Sequence, residues 1–194
     1  MLRTFIIACR TAVFTLILTG VAYPLLVTGL AQLLFPDKAN GSLVKDERGR
    51  VVGSELIGQR FSHPAYFQSR PSAAGDKTYD AMASGGSNYG VTSQKLRDRV
   101  ISDLETLKKE NPGSASPVPG ELLTASASGL DPHLSPAGIR WQAARVAQAR
   151  KVSPERIEAV LRNYIQDRDL GFLGEPRVNV LLLNLALDRQ FGRP

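Results

Sequence analysis

Four side chains able to act as acid, base or nucleophile fall between positions 126 and 133: Ser126, Ser128, Asp131 and His133. Hydroxyl, imidazole and carboxylate groups are the components of a serine hydrolase. A hydrolase serine needs a tight turn to present it, commonly Gly-x-Ser-x-Gly, and this segment lacks that pattern. We therefore interpret the segment as a loop in which Asp131-Pro132 forms a turn and Ser135 caps the next helix.

Metal-ligating residues are sparse. The two histidines, His63 and His133, are seventy residues apart and have no ligand spacing that suggests zinc. The one cysteine, Cys9, forms no intrachain disulfide and no thiolate cluster. The sequence therefore predicts no metal site.

A glycine-rich segment resembles the LSGGQ signature of ABC ATPases: Ser84, Gly85, Gly86, Ser87 and Asn88. Glycines allow consecutive backbone N–H groups to converge on a phosphate, and a following helix adds its N-terminal partial charge. The match departs at both ends of the signature, and the chain has no Walker lysine motif. Nucleotide binding and a structural turn both stay open.

These groups belong to a chain that begins with a long apolar run. Residues 11–35 contain no Asp, Glu, Lys or Arg and would reach about 37 Å as a helix, against about 30 Å of hydrocarbon. We interpret the run as a transmembrane helix. A cleaved signal peptide is the alternative, but the run continues for thirteen residues past Ala22, too far for a signal sequence.

Basic residues flank only the start of the run, where Arg3 and Arg10 lie. By the positive-inside rule, residues 1–10 are cytoplasmic and residues 36–194 form one extracytoplasmic domain. Pro24 predicts a kink. Small residues allow helices to pack closely in lipid, so we expect a docking face for another transmembrane helix. The alternative is a lone anchor whose threonines bond their own backbone. The face comprises Thr11, Thr15, Thr19, Gly20, Pro24 and Thr28.

The remaining chain predicts a mixed α/β (α+β) domain. Leu43-Val44 and Val51-Val52 flank a polar turn and indicate a hairpin, followed by a long irregular segment over 63–90 that we expect to be functional or held by partners. Residues 111–120 are expected to form a surface crossover. Capping signals and apolar periodicity predict four helices. These run from Thr92 or Ser93 to about Glu110, from Ser135 to about Arg150, from Ser153 with an apolar face through Ile165, and from Asn179 onward.

The charge pattern argues against nucleic-acid binding. The chain carries +6, and its basic residues alternate with acidic ones, for example Arg97 with Asp98, as on a solvated helix face.

Five segments, called the signature segments below, carry a resemblance to a known family. They are GSELIGQRF at 53–61, YFQSRPSA at 66–73, YDAMASGGSNYG at 79–90, LLTASASGLDPHLSPAG at 122–138 and LGFLGEPRVNVLLLNLALD at 170–188. Together they resemble the KdpC family, the C subunit of the Kdp potassium-transporting P-type ATPase. Val91 stands where that family usually has proline.

The resemblance implies a non-catalytic accessory subunit of a bacterial inner-membrane complex, with one transmembrane helix and an extracytoplasmic α/β domain. Its partners would be a channel-like potassium subunit and a P-type ATPase subunit that forms the aspartyl-phosphate. Family members have been linked to raising the ATP affinity of that subunit, so ATP would act through the partner and no cofactor is bound tightly. The predicted orientation argues against direct nucleotide contact at Ser84–Asn88.

One further expectation concerns two carboxylates of the irregular segment. If the domain lies above a pore entrance, Asp76 and Asp80 would raise the local potassium concentration. The competing interpretation is a membrane-anchored periplasmic enzyme or binding protein that works alone.

Overall fold

The structure is a computed structural model that describes residues 1–46, 48–114 and 117–194. The chain divides into two compact units, Met1–Ser54 and Glu55–Pro194. Helices and strands are both present, which confirms the mixed α/β (α+β) class.

The first unit is dominated by a helical run that is longer than the apolar stretch. It comprises α1 (Leu2–Ile17), a π turn (Leu18–Ala22) and α2 (Tyr23–Leu34). No residue of the run is buried, and its Leu, Ile, Val and Phe side chains face outward. Length and composition make it a candidate membrane span. The helix begins at Leu2, nine residues before the apolar stretch, and therefore includes Arg3 and Arg10.

The π turn lies directly before Pro24. Proline has no N–H to donate and its ring crowds the preceding turn, and here the helix widens so that the Tyr23 N–H reaches the carbonyl of Leu18. The threonines nearby bond their own helix: Thr15 Oγ donates to the carbonyl of Thr11 at 2.9 Å and Thr19 Oγ to that of Thr15 at 2.7 Å. These bonds correspond to the alternative given above for the small-residue face, in which the threonines bond the backbone of their own helix.

A short helix, α3 (Pro36–Ala39), and a predicted hairpin complete the first unit. β1 (Leu43–Lys45) pairs antiparallel with β2 (Val51–Ser54), and Asp46 holds the turn by accepting from the N–H of Arg50 at 2.9 Å. Glu47, within that predicted turn, lies outside the described residues.

The described part of the second unit contains four α-helices and a three-stranded antiparallel sheet of order β3-β5-β4. Pro136 and Pro154 occupy first turns, and two predicted caps are confirmed: Ser135 Oγ accepts from the N–H of Gly138, and Asn179 Oδ1 from that of Leu182. The elements are α4 (Gln94–Glu110), β3 (His133–Leu134), α5 (Pro136–Arg150), α6 (Pro154–Arg162), β4 (Ile165–Gln166), β5 (Arg177–Asn179) and α7 (Val180–Phe191).

One sequence assignment is wrong. The apolar face predicted for the third helix extended through Ile165, but α6 ends at Arg162 and Ile165 lies in β4, opposite Val178 of β5. Helical and strand spacing are both satisfied by this short stretch, and pairing with β5 determines the outcome.

Helices α5, α6 and α7 build the core with the sheet and with Phe67, whose side chain is fully buried. Helix α4 has no buried residue, although Leu107 packs against the core. The large, fully buried apolar side chains are Phe67, Leu134, Ile139, Val146, Ile157, Leu161, Val178, Val180, Leu183 and Leu187.

The irregular segment over 63–90 enters the core as an extended chain whose backbone is paired by side chains. Asn184 of α7 accepts from the Phe67 N–H at 2.8 Å and donates to its carbonyl at 2.9 Å. Gln142 of α5 does the same for Gln68, at 2.9 and 3.1 Å. We call these four bonds the amide clamp. They satisfy backbone groups that no strand pairs, at sites where Gln142 and Asn184 are almost fully buried.

Two arginines of α5 fix the chain just before the clamp. Arg145 donates to the carbonyls of Pro64 and Tyr66 and to the side chains of Asn111 and Gln142. Its burial among neutral acceptors lowers its pKa, an effect that the nearby Glu110 charge opposes.

Arg150 donates to the carbonyl of Ala65 at 2.8 Å and pairs with Asp188 at 2.7 Å. Tyr66 lies under the guanidinium and donates to the same carboxylate, and its pKa is raised by burial and by Asp188. The segment over 63–90 is therefore held by its own chain.

Asn111 ends α4 as predicted, but it is buried, so the 111–120 connection does not begin at the surface. Ser114 of that connection donates to the carbonyl of Trp141. Ala115 and Ser116 lie outside the described residues.

The amide clamp predicts a large effect of Asn184→Ala. The substitution leaves the buried N–H and carbonyl of Phe67 without partners, so we expect a loss of about 2 to 5 kcal/mol in the free energy of unfolding. Urea unfolding of the full chain in mild detergent, followed by the fluorescence of its single tryptophan, Trp141, measures this loss. The matched control is Gln148→Ala at an exposed position of α5, which should change stability by less than about 0.5 kcal/mol. Equal losses in the two variants would contradict the role of the clamp.

Candidate functional site

The signature segment over 122–138 contacts each of the other four signature segments. Gly58 donates its N–H to the carbonyl of Leu130 at 2.7 Å, and a Cβ at Gly58 would lie 2.6 Å from the carbonyl oxygen of Asp131. Gly129 has a positive φ of +67° and would similarly clash with Ala74. These glycines are needed for close approach of the backbones.

The carboxylate of Glu121 lies at the N-terminus of α5. Glu121 accepts from the N–H and the hydroxyl of Ser135 at this end of the helix, where a negative charge is favoured. A Cβ at Gly138 would lie 2.3 Å from Glu121 Oε1. The chain's own carboxylate therefore occupies this helix N-terminus.

The carboxylate of Asp131 joins two signature segments, and Arg70 connects them to a third. Oδ1 accepts from the N–H of His133 at 2.9 Å, and Oδ2 lies 3.2 Å from Arg70, whose carbonyl accepts from Tyr79. Burial raises the pKa of Asp131, but hydrogen bonds from His133 and the charge of Arg70 outweigh it and leave the pKa below its ordinary value. Burial raises the pKa of Tyr79 to about 12, so its hydroxyl keeps the donated proton.

The hydroxyls of the 126–133 segment do not assemble a hydrolase. Ser126 Oγ and Ser128 Oγ lie 3.4 Å apart, and Ser128 accepts from the N–H of Leu130. His133 lies beside Asp131, with Nδ1 3.6 Å from Oδ1. The Asp131 carboxylate and the Ser128 hydroxyl thus both accept from backbone N–H groups within the loop, which agrees with its interpretation as a loop.

The glycine-rich segment contacts the same loop. Gly85 donates its N–H to the carbonyl of Ser128 at 2.9 Å, the Ser84 hydroxyl donates to that same oxygen, and a Cβ on Gly86 would lie 3.0 Å from the carbonyl oxygen of Ala127. Ser87 is half-buried, and Asn88 is exposed with a φ of +52°. The Gly85 N–H points to protein, which favours the structural interpretation of Ser84–Asn88.

Asp76 and Asp80 are both exposed, and one of them has a local role. Asp80 accepts from the N–H of Met82 at 2.9 Å and caps the short 3-10 helix Ala81–Ala83. Among the described residues, no group of three His, Cys, Asp or Glu side chains has an arrangement that could hold a metal ion.

Sequence reasoning missed the amide clamp and the exposed tip of the β4–β5 hairpin. A signal for the first existed, because Asn184 interrupts the apolar run 180–187. The hairpin tip falls between the helices that the capping signals and the apolar periodicity predict. Its Leu170 is 83% exposed and its Phe172 70% exposed, which periodicity does not reveal.

Comparison with known proteins covers almost the whole chain. A family model described as "KdpC: K+-transporting ATPase, c chain" matches residues 5–189. A protein of Myxococcus xanthus, named potassium-transporting ATPase KdpC subunit, is 64% identical over 99% of this chain and 90% of its own length. Proteins of the same name from Rhodospirillum rubrum and Methylococcus capsulatus are 54% and 56% identical, over 98% and 91% of this chain and 98% and 92% of their own lengths.

The position of Asp131 predicts a pH-dependent stability difference. Because its pKa is lowered in the folded chain, the carboxylate stabilises the fold above its ordinary pKa of 3.8, and the contribution disappears as pH falls through the lower folded value. We expect Asp131→Asn to lose about 1 kcal/mol at pH 7 and progressively less below pH 3.8, by urea unfolding followed at Trp141. Asp76→Asn, at an exposed site, is the control and should have no effect at either pH. A loss that is constant with pH would contradict the assignment.

Proposed function

This chain belongs to the KdpC family, the c chain of a potassium-transporting ATPase, and we propose that it stabilises the assembly from the extracytoplasmic face and tunes the transport cycle. It is an accessory subunit of that membrane complex, which implies partner subunits. We further propose that these are a channel-like potassium subunit and a P-type ATPase subunit. The comparisons lend no support to a periplasmic enzyme or binding protein that works alone.

The family match over residues 5–189 carries the proposal, because it includes both the helical run and the second unit. The contacts in the second unit agree with an accessory role. Its buried polar groups, such as Gln142, Arg145 and Asn184, are used in holding its own backbone.

The helical run Leu2–Leu34 agrees with a place in lipid. From residue 11 onward it has no charged side chain, and none of its residues is buried, so burial of its apolar side chains has to come from lipid or from partner helices. We propose that Arg3 and Arg10 keep its N-terminus in the cytoplasm and that the second unit is extracytoplasmic.

Thr11, Thr15, Thr19 and the neighbouring Gly20, Pro24 and Thr28 remain our proposed docking face for a partner helix. Since Thr15 and Thr19 bond their own carbonyls, the face would act through close packing rather than through interhelical hydrogen bonds.

For Ser84–Asn88 we propose a structural role, with ATP acting through the partner ATPase subunit. The occupied N–H of Gly85 and the proposed orientation both support this assignment. Attraction of potassium by Asp76 and Asp80 stays a prediction; both carboxylates are exposed, as it requires.

Purification in mild detergent tests the proposed function. With an affinity tag on the C-terminus, we expect two large membrane proteins to elute with the chain from cells that express the whole complex. Elution of a lone 21.0 kDa chain from such cells would contradict the proposal.

Thiol labelling tests the orientation, because Cys9 is the only cysteine. In spheroplasts, a membrane-impermeant maleimide should label a Cys9→Ser/Met82→Cys variant, whose position 82 is 95% exposed, and should leave the unmodified chain unlabelled. Disrupted membranes provide the control, in which both chains should react. Labelling of Cys9 alone in intact spheroplasts would reverse the orientation and remove the topological objection to nucleotide at Ser84–Asn88.

A further inference from the structure

The hairpin between β4 and β5 extends away from the core and ends in an apolar tip. Every residue from Gln166 to Glu175 is exposed. Asp169 and Leu173 close the hairpin with two backbone hydrogen bonds of 2.9 Å each. Leu170 and Phe172, which lie between these two residues in the chain, are 83% and 70% exposed, and Leu173 is 49% exposed. We call Leu170, Phe172 and Leu173 the apolar tip.

The turn at the tip has an unfavourable residue at its first central position. Leu170 has a φ of +53° and Gly171 one of +82°, and the Phe172 N–H donates to the carbonyl of Asp169. Two successive positive φ values place both residues in the left-handed region, which Gly adopts freely and which Asn and Asp adopt more readily than Leu. A leucine there costs about 1 kcal/mol and also exposes its side chain.

Folding of the second unit therefore gains nothing from Leu170. An asparagine would suit both the backbone and the solvent better. Departures from local preference that bring no benefit to the fold are expected where a residue serves binding.

Two side-chain ion pairs and the hydrogen bonds between Asp169 and Leu173 connect the two sides of the hairpin stem. Arg168 pairs with Glu175 at 2.7 Å across the stem, and Arg177 lies 3.4 Å from Asp169. A preformed apolar projection loses little conformational entropy when it enters a protein pocket.

We propose that the apolar tip inserts into an apolar pocket on the extracytoplasmic part of a partner subunit of the same ATPase, with a neutral or basic rim around that pocket. The charges of the stem support this choice of occupant. Three carboxylates, Asp167, Asp169 and Glu175, stand against two arginines, so the stem carries −1. A basic rim complements this excess.

The same charges disfavour a lipid surface. Anionic headgroups attract Lys and Arg clusters, and interfacial segments are rich in Trp and Tyr. Residues 166–177 contain no Lys, Trp or Tyr and have an acidic excess. The stem charges also disfavour self-association of two tips, because two stems that each carry −1 would repel each other.

The inference rests on the proposed function, since it requires the partner subunits. Its test compares Leu170→Asn/Phe172→Ser with the unmodified chain in the assembled complex. Asparagine relieves the turn, so the urea midpoint of the variant chain should be unchanged or higher. We expect at least about tenfold less partner protein to remain with the variant after washing in mild detergent. The matched control is Val91→Ser, which removes an apolar side chain that is 98% exposed elsewhere in the unit and should retain the partners.

Retention of the partners by Leu170→Asn/Phe172→Ser at the unmodified level would overturn the inference while leaving the proposed function intact. Failure of the unmodified chain to retain partners would instead contradict the proposed function. A photo-crosslinking phenylalanine analogue at position 172 identifies the occupant. A crosslink to a partner subunit supports the inference, and crosslinks only to lipid or to a second copy of this chain overturn it.

Discussion

The amide clamp is the interaction on which the second unit depends. Gln142 and Asn184 pair both backbone groups of Gln68 and Phe67, so an extended chain enters the core without a neighbouring strand. Buried backbone groups must find partners, and here two helices supply them from their side chains. The clamp places Phe67 in the core and fixes the start of a long irregular segment, which then reaches Asp131 and the glycine-rich turn. The signature segments meet because this chain is held.

In this arrangement, many polar side chains of the second unit bond to other groups of the same unit. Arg145 and Arg150 bind backbone carbonyls, Glu121 occupies the first turn of α5, and Asp131 joins neighbouring loops. What such a unit offers to other proteins is its shape and its exposed apolar groups. Exposed apolar groups agree with the role of an accessory subunit, whose effect on transport arises through contacts with other subunits. They also agree with a helical run whose side chains are exposed on every side.

Much of the secondary structure could be predicted from local signals. Ser135 with Pro136, and Asn179 before its apolar run, start helices because capping depends on neighbours three residues away. Ile165 was assigned wrongly, because its state depends on pairing with Val178. The interpretation of Ser84–Asn88 as a turn agrees with its contacts, but its partner, Ser128, is forty-four residues away and carries no mark in the sequence.

The sequence by itself determined the apolar helix, the order and most boundaries of the elements, and the family, because each of these depends on residue type and on short spacings. The tertiary structure decided which polar residues are structural and which apolar residues face solvent. Asn184 and Leu170 show why. A polar residue in an apolar helix and an apolar residue in a turn both contradict local expectation, and only the neighbours in space separate a buried clamp from an exposed tip.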